Sequence, residues 1–150
     1  MSTLLDTNIL TRSAQPAHSM HRPAVDAVDV LRRRGEALHL VPQDFYEFWV
    51  VATRPISQNG LGWTSAQAQA EVAQLKKLFI VLDDTPAIFP EWERLVSHYC
   101  ITGKHAHDAR FVAAMHVHGL NQCLTFNPGD FLQFTTITVL SPDQVLQGSP

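Results

Sequence analysis

Short apolar segments of strand composition alternate along this 150-residue chain with stretches whose apolar residues recur at helical spacing. Thr3-Leu4-Leu5, Ala37 to Val41, Phe79 to Leu82, Gln122 to Thr125 and Thr138 to Leu140 have the strand character. Between them, Val25, Val28 and Leu31 lie on one helical stripe that ends at Arg32-Arg33-Arg34 and Gly35. A second helix is expected from about Asp44 to Arg54, stopped by Pro55 and apolar almost all round, so that it would be packed on several sides. Thr64 with Gln67 offers an N-cap for a helix reaching Lys77. Trp92, Leu95, Val96 and Tyr99 continue a helical pattern beyond Pro90, and His107 to His118 forms another, closed by Gly119. Ser141-Pro142-Asp143 starts a short last helix. Strictly alternating elements predict one α/β domain over 1–150, with a mostly parallel central sheet of about five strands flanked by helices. Ligands of such sheets bind outside the carboxyl ends of the strands.

Composition removes several other classes. With 45% hydrophobic and 17% charged residues the chain is neither a disordered polyampholyte nor a coiled coil, and its length allows a core without disulfides or a structural metal. Apolar runs such as Leu78 to Leu82 and Phe48 to Ala52 are five residues long, too short for a bilayer span. The start, Met1-Ser2-Thr3-Leu4-Leu5-Asp6, lacks the basic region of a signal peptide, so a cytoplasmic protein with no membrane partner is expected. Cys100 and Cys123 read as small hydrophobes rather than as a disulfide or metal framework.

Four carboxylates fall where such a fold turns side chains toward the carboxyl edge of the sheet: Asp6, Glu47, Asp108 and Asp130. Each has a structural explanation when taken singly. Asp6 could cap the following helix, Glu47 could share a capping box with Asp44, Asp108 could suit a helix N-terminus, and Asp130 could serve the Asn-Pro-Gly-Asp turn. Asp108 fits its explanation least well, because Phe111, Val112 and Met115 put it on an inward stripe. Together the four are harder to explain away. Two carboxylates 5 Å apart repel by roughly 3 kcal/mol at an effective dielectric of about 20, so a cluster either binds protons or holds a cation. An all-oxygen donor set points to Mg²⁺ or Mn²⁺ and to phosphodiester hydrolysis.

On these residues the chain resembles the PIN-domain ribonucleases, and among them the VapC-type toxins of toxin–antitoxin pairs. The matching segments are Leu4-Leu5-Asp6-Thr7-Asn8-Ile9-Leu10, the helix carrying Glu47, His107-Asp108-Ala109, and Leu124-Thr125-Phe126-Asn127-Pro128-Gly129-Asp130-Phe131. The resemblance spans essentially the whole chain. It implies a PIN-like domain in which Asp6, Glu47, Asp108 and Asp130 bind Mg²⁺ or Mn²⁺ and cleave single-stranded or looped RNA, leaving a 5′-phosphate and a 3′-hydroxyl. Thr7, Asn8, Thr125 and Asn127 would then orient these carboxylates or contact a phosphate. A homodimer and a cognate antitoxin lying over the acidic groove are implied as well.

Among the other polar residues, Lys104 and Arg110, with His105, are candidates to touch RNA phosphates, although solvated surface cations are the more common explanation for such residues. His105/His107 and His116/His118 are two apart and do not share a helix face, which disfavours a zinc site. Trp49 and Trp92 fit core stripes, while Trp63, in the turn-rich loop from Pro55, is the candidate to stack on a base or meet a partner. Two other functions compete with the nuclease. Asp6 could accept a phosphoryl group in an aspartyl-phosphate chemistry, though a haloacid-dehalogenase-like motif would want Asp at position 8, where Asn8 stands. Alternatively the domain could bind RNA or a partner without turnover. The net charge of -3 offers RNA little general attraction, but without the four site candidates ten acids face eleven Lys and Arg, so the excess negative charge resides in the proposed site.

Overall fold

The computed structural model describes residues 1–148. Its strands are β1 (Ser2–Leu5), β2 (Ala37–Leu40), β3 (Ile80–Val81), β4 (Gln122–Leu124) and β5 (Thr138–Leu140). Its helices are α1 (Thr7–Ser13), α2 (His21–Arg33), α3 (Pro42–Thr53), α4 (Ser65–Leu78), α5 (Ile88–His98), α6 (His105–His118) and α7 (Pro142–Gln147). The five strands form one sheet in the order β3-β2-β1-β4-β5, and every pairing is parallel. The chain builds β1, β2 and β3 toward one edge, then crosses back to add β4 and β5 on the other side. The reversal falls between β1 and β4, and a crevice opens there at the carboxyl ends of the strands.

Strand side chains alternate between faces, so Leu5 and Leu4 enter different cores. Leu5 packs with Ile9, Leu31, Phe48 and Ala52, whereas Leu4 packs with Val112, Met115, Phe131 and Phe134. Both leucines are fully buried, as expected of a parallel sheet covered on both faces.

Several boundaries differ from the sequence expectation. Pro42 does not end a strand; it opens α3 two residues earlier than expected, where its missing N–H costs nothing. Pro90 lies within the first turn of α5 for the same reason. Strand β3 shrinks to two residues at the sheet edge, with Ile80 half exposed. Helix α3 is not enclosed on all sides. Phe48 and Ala52 are buried, but Tyr46, Trp49 and Val50 face outward, so Trp49 is not a core residue. Trp63 is also not free on its loop: it packs edge-on against Phe48, with ring centroids 6.0 Å apart. Trp92 does join the second core, and its indole N–H donates to the Ala106 carbonyl at 2.8 Å.

Helices α5 and α6 are tied by a polar clamp. Glu91 accepts from Arg94 Nε and Nη2, at 2.6 and 2.8 Å, and contacts His116 Nδ1 at 2.6 Å, while His116 Nε2 meets the Thr136 hydroxyl at 2.7 Å. The Arg94 hydrogen bonds are the main reason that the Glu91 carboxyl is held down at about 2. A depressed carboxylate stabilises fully above its ordinary pKa of 4.5, and the contribution disappears as pH falls toward 2. Thermal unfolding of Glu91→Gln should therefore occur below the parent temperature at pH 7, and the two curves should converge near pH 2; a gap of equal size at both pH values would contradict this account.

Candidate active site

Asp6 is the residue immediately after β1, and its backbone N–H still pairs with the Leu124 carbonyl at 3.0 Å. It also caps α1. Its Oδ1 accepts the Thr7 N–H at 2.7 Å and its Oδ2 accepts the Thr125 hydroxyl at 2.7 Å. Thr125 Oγ1 in turn accepts from Asn8 Nδ2 at 3.2 Å and from the Asn127 N–H at 3.0 Å, and Asn8 Oδ1 accepts the Phe126 N–H at 3.2 Å. One hydroxyl thus donates once and accepts twice, locking the segment after β4 against the start of α1.

Glu47 comes from the second turn of α3. Gln43, four residues earlier, donates from Nε2 to Glu47 Oε2 at 2.9 Å and lies at the same distance from the His107 carbonyl. Thr7 Oγ1 is 3.0 Å from Glu47 Oε1 and 3.1 Å from Asp44 Oδ1. A hydroxyl has one proton, so it cannot donate to both. Asp44 is completely buried, and desolvation raises its pKa well above the ordinary carboxylate value. The consistent assignment is a protonated Asp44 that donates to Thr7, which donates to Glu47. Asp44 Oδ2 also accepts the Val41 N–H at 3.1 Å, which caps α3 at the position where a capping carboxylate belongs. Asp44 caps the helix by itself, leaving Glu47 outside that box. This residue is absent from the sequence candidates, although Pro42 at the first helical position already places Asp44 at the capping position.

Asp108 and Asp130 approach from the other side, on α6 and on the 3-10 turn Pro128–Phe131. With His105 they form a group whose ligand atoms lie within 4.8 Å of one another. His105 Nδ1 is 3.1 Å from Asp108 Oδ2. The sequence signal for this contact is the i,i+3 spacing of His105 and Asp108, which comparison of histidines with each other overlooks. Asp6, Glu47, Asp108 and Asp130 all line one cleft of about 670 Å³ at the carboxyl edge of the sheet.

The electrostatics follow from this convergence. Asp6 is raised from 3.8 to about 6, chiefly by burial and further by Glu47 and Asp108. Asp108 is raised by burial, Asp130 and Glu47, against the lowering effect of its His105 hydrogen bond. Carboxylates aimed into one cleft with one imidazole among them are a donor set for a hard divalent cation, and the nitrogen suits Mn²⁺ at least as well as Mg²⁺.

The remaining sequence candidates divide. Thr7, Asn8, Thr125 and Asn127 all belong to the carboxylate network. Lys104 is exposed one residue before α6 and does not line the cleft. Arg110 pairs with Asp84 at 3.0 Å and donates to Gln43 Oε1 at 3.1 Å, so it reaches Glu47 only through Gln43. The cleft does hold two cations missing from the sequence candidates, Arg12 and Arg54. Arg12 is four residues after Asn8 and Arg54 seven after Glu47, spacings that return to the same helix face.

No protein-family model matches this chain, and no curated protein matches it significantly. Solved structures do. A chain of VapBC2 from Rickettsia felis, bound to a DNA fragment from their promoter, matches with a TM-score of 0.71 at 12% identity, over 94% of this chain and 98% of that one. FitAcB from Neisseria gonorrhoeae gives 0.67 at 17% identity, covering 93% and 97%. VapC20 of Mycobacterium tuberculosis, a sarcin–ricin loop cleaving toxin, gives 0.58 at 19% identity, covering 81% and 86%. At these identities the likeness is one of fold: this chain shares the α/β fold of these VapBC, FitAcB and VapC20 structures. Among the described residues no helix is long and apolar enough to cross a membrane.

Proposed function

We propose that this chain is a Mg²⁺- or Mn²⁺-dependent endoribonuclease, the toxin member of a toxin–antitoxin pair. The observation that carries the reading is the convergence of Asp6, Glu47, Asp108 and Asp130 on one cleft, at the switch point of a sheet whose fold is shared with toxins of such pairs. These four side chains, with His105 beside them, would hold the cation, and the cation supplies the charge that polarises a phosphoryl oxygen and acidifies water. The chain itself supplies placement. Thr7 and Thr125 aim Glu47 and Asp6, Gln43 fixes the second Glu47 oxygen, and His105 orients Asp108. A cognate antitoxin, and a homodimer as the resemblance implies, belong to the same proposal; toxin–antitoxin complexes among the fold neighbours support the former.

The test is cleavage-site mapping on total RNA with the purified chain in Mg²⁺, in Mn²⁺ and in chelator. The reading expects discrete cuts bearing 5′-phosphates with either metal and none in chelator. A folded chain that cuts no RNA with either metal would instead support a non-catalytic binding domain.

A further inference from the structure

The two arginines of the cleft are held differently from most of the others. Arg22, Arg33, Arg94 and Arg110 each pair with a carboxylate, and Arg32 and Arg34 donate to backbone carbonyls away from the cleft. Arg12 and Arg54 share a cleft with four carboxylates, yet neither forms an ion pair among the described residues. Arg12 Nη1 donates to Gln15 Oε1 at 2.8 Å, and Arg54 Nη2 to the Asn59 carbonyl at 3.2 Å. These neutral partners fix each side chain while leaving its charge uncompensated and most of its five N–H donors unused. Arg54 Nε is a buried donor with no partner, a cost that proteins seldom leave standing without a ligand or water to meet it.

Placement along the helices explains why the arginines do not fall onto the acids. Asp6 precedes α1 and Arg12 lies in its last turn; Glu47 is in the second turn of α3 and Arg54 follows its end. At 1.5 Å per residue, each arginine lies about 10 Å from its acid along the helix axis. The helix dipole favours a cation at either end point, but it does not require cations from two helices to face one cleft. His18 lines the same end, its Nδ1 accepting the Met20 N–H at 3.0 Å. The cleft is therefore divided, with carboxylates at the sheet edge and cations at the far end.

We propose that Arg12 and Arg54 form a phosphate-binding subsite, separate from the carboxylate centre, that holds a neighbouring phosphate of the same RNA strand. The inference rests on the ribonuclease reading and names the contact that sets the strand in register. RNA is favoured over an acidic protein segment because the ribonuclease reading already brings a strand to this cleft, where a phosphate beside the one at the carboxylate end would meet the two arginines.

The experiment measures binding of labelled single-stranded RNA by fluorescence anisotropy across a salt series, in an Asp6→Asn/Asp108→Asn background that does not consume the probe. Arg12→Gln and Arg54→Gln should each weaken binding about tenfold and reduce the slope of log K against log salt by about 0.7. Arg54→Lys should keep most of the slope, which guards against a misfolded loop, and Arg22→Gln on the outer surface should change nothing. Bound RNA whose affinity and slope ignore both arginines would overturn the subsite while leaving the ribonuclease reading intact. No binding of RNA by the background chain, in which both arginines are intact, would overturn the subsite, while cleavage by the parent chain decides the ribonuclease reading separately. An oligoglutamate peptide whose binding depends on the arginines, while RNA binding does not, would reassign them to a protein partner.

Discussion

Asp6→Asn and Asp108→Asn are each expected to lower RNA cleavage by about 10⁴-fold or more, the scale of losing one member of a catalytic unit, without loss of fold. Asparagine keeps the shape of the side chain but removes the charge that a divalent cation needs. The stability half of the prediction comes from the raised pKa of Asp6. A carboxyl lifted from 3.8 to about 6 contributes its stability fully below 3.8 and loses it as pH rises through 6, so in the metal-free chain the ionised group is a liability at pH 7. Relative to the parent in chelator, Asp6→Asn should therefore fare better at pH 7 than at pH 4, and its own stability should vary less between the two, although the amide gives up one of the two acceptors that serve the Thr7 N–H and the Thr125 hydroxyl. Undiminished cleavage by either variant would remove these residues from the active site. A variant that loses cleavage together with its fold would show that Asp6 is held for structure.

Asp44→Ala should cost about 2–4 kcal/mol in urea unfolding at pH 7, because the buried Val41 N–H loses its acceptor and the Thr7 hydroxyl loses a neighbour. Asp44→Asn should cost about 1 kcal/mol or less. Its amide can accept from Val41 and donate to Thr7, as a protonated carboxyl does. Because the Asp44 pKa is raised in the folded chain, its stabilising contribution is complete at low pH and declines as pH climbs through the raised value. If Asp44→Asn proves as damaging as Asp44→Ala, then Asp44 is ionised and the proton assignment linking it to Thr7 and Glu47 fails. Cleavage by Asp44→Asn should stay near the parent level, since Asp44 acts on Glu47 only through Thr7.

Legibility from sequence followed the range of the interactions involved. Strand–helix alternation and local stop signals such as Gly35 and Gly119 depend on neighbouring residues, and they suffice for a parallel α/β sheet. The acids Asp6 and Asp108 were readable because each occupies a local position, a strand end or an inward helical stripe. Trp49 and Trp63 were misplaced for the opposite reason. Whether an aromatic ring is covered depends on which helix packs over it, and no periodicity within α3 encodes that Tyr46, Trp49 and Val50 stay partly exposed among the described residues.

By itself the sequence determined the order of elements, the parallel sheet and the four carboxylates at its carboxyl edge, since these follow from side-chain period and turn chemistry. The tertiary structure alone decided that Asp44 and Glu47 meet at Thr7, that Asp108 and Asp130 come together, and that Arg12 and Arg54 line the same cleft as the carboxylates. Those relations join residues tens of positions apart on different elements. Their energies come from desolvation and from charges brought together in space, quantities that do not exist until the chain has folded.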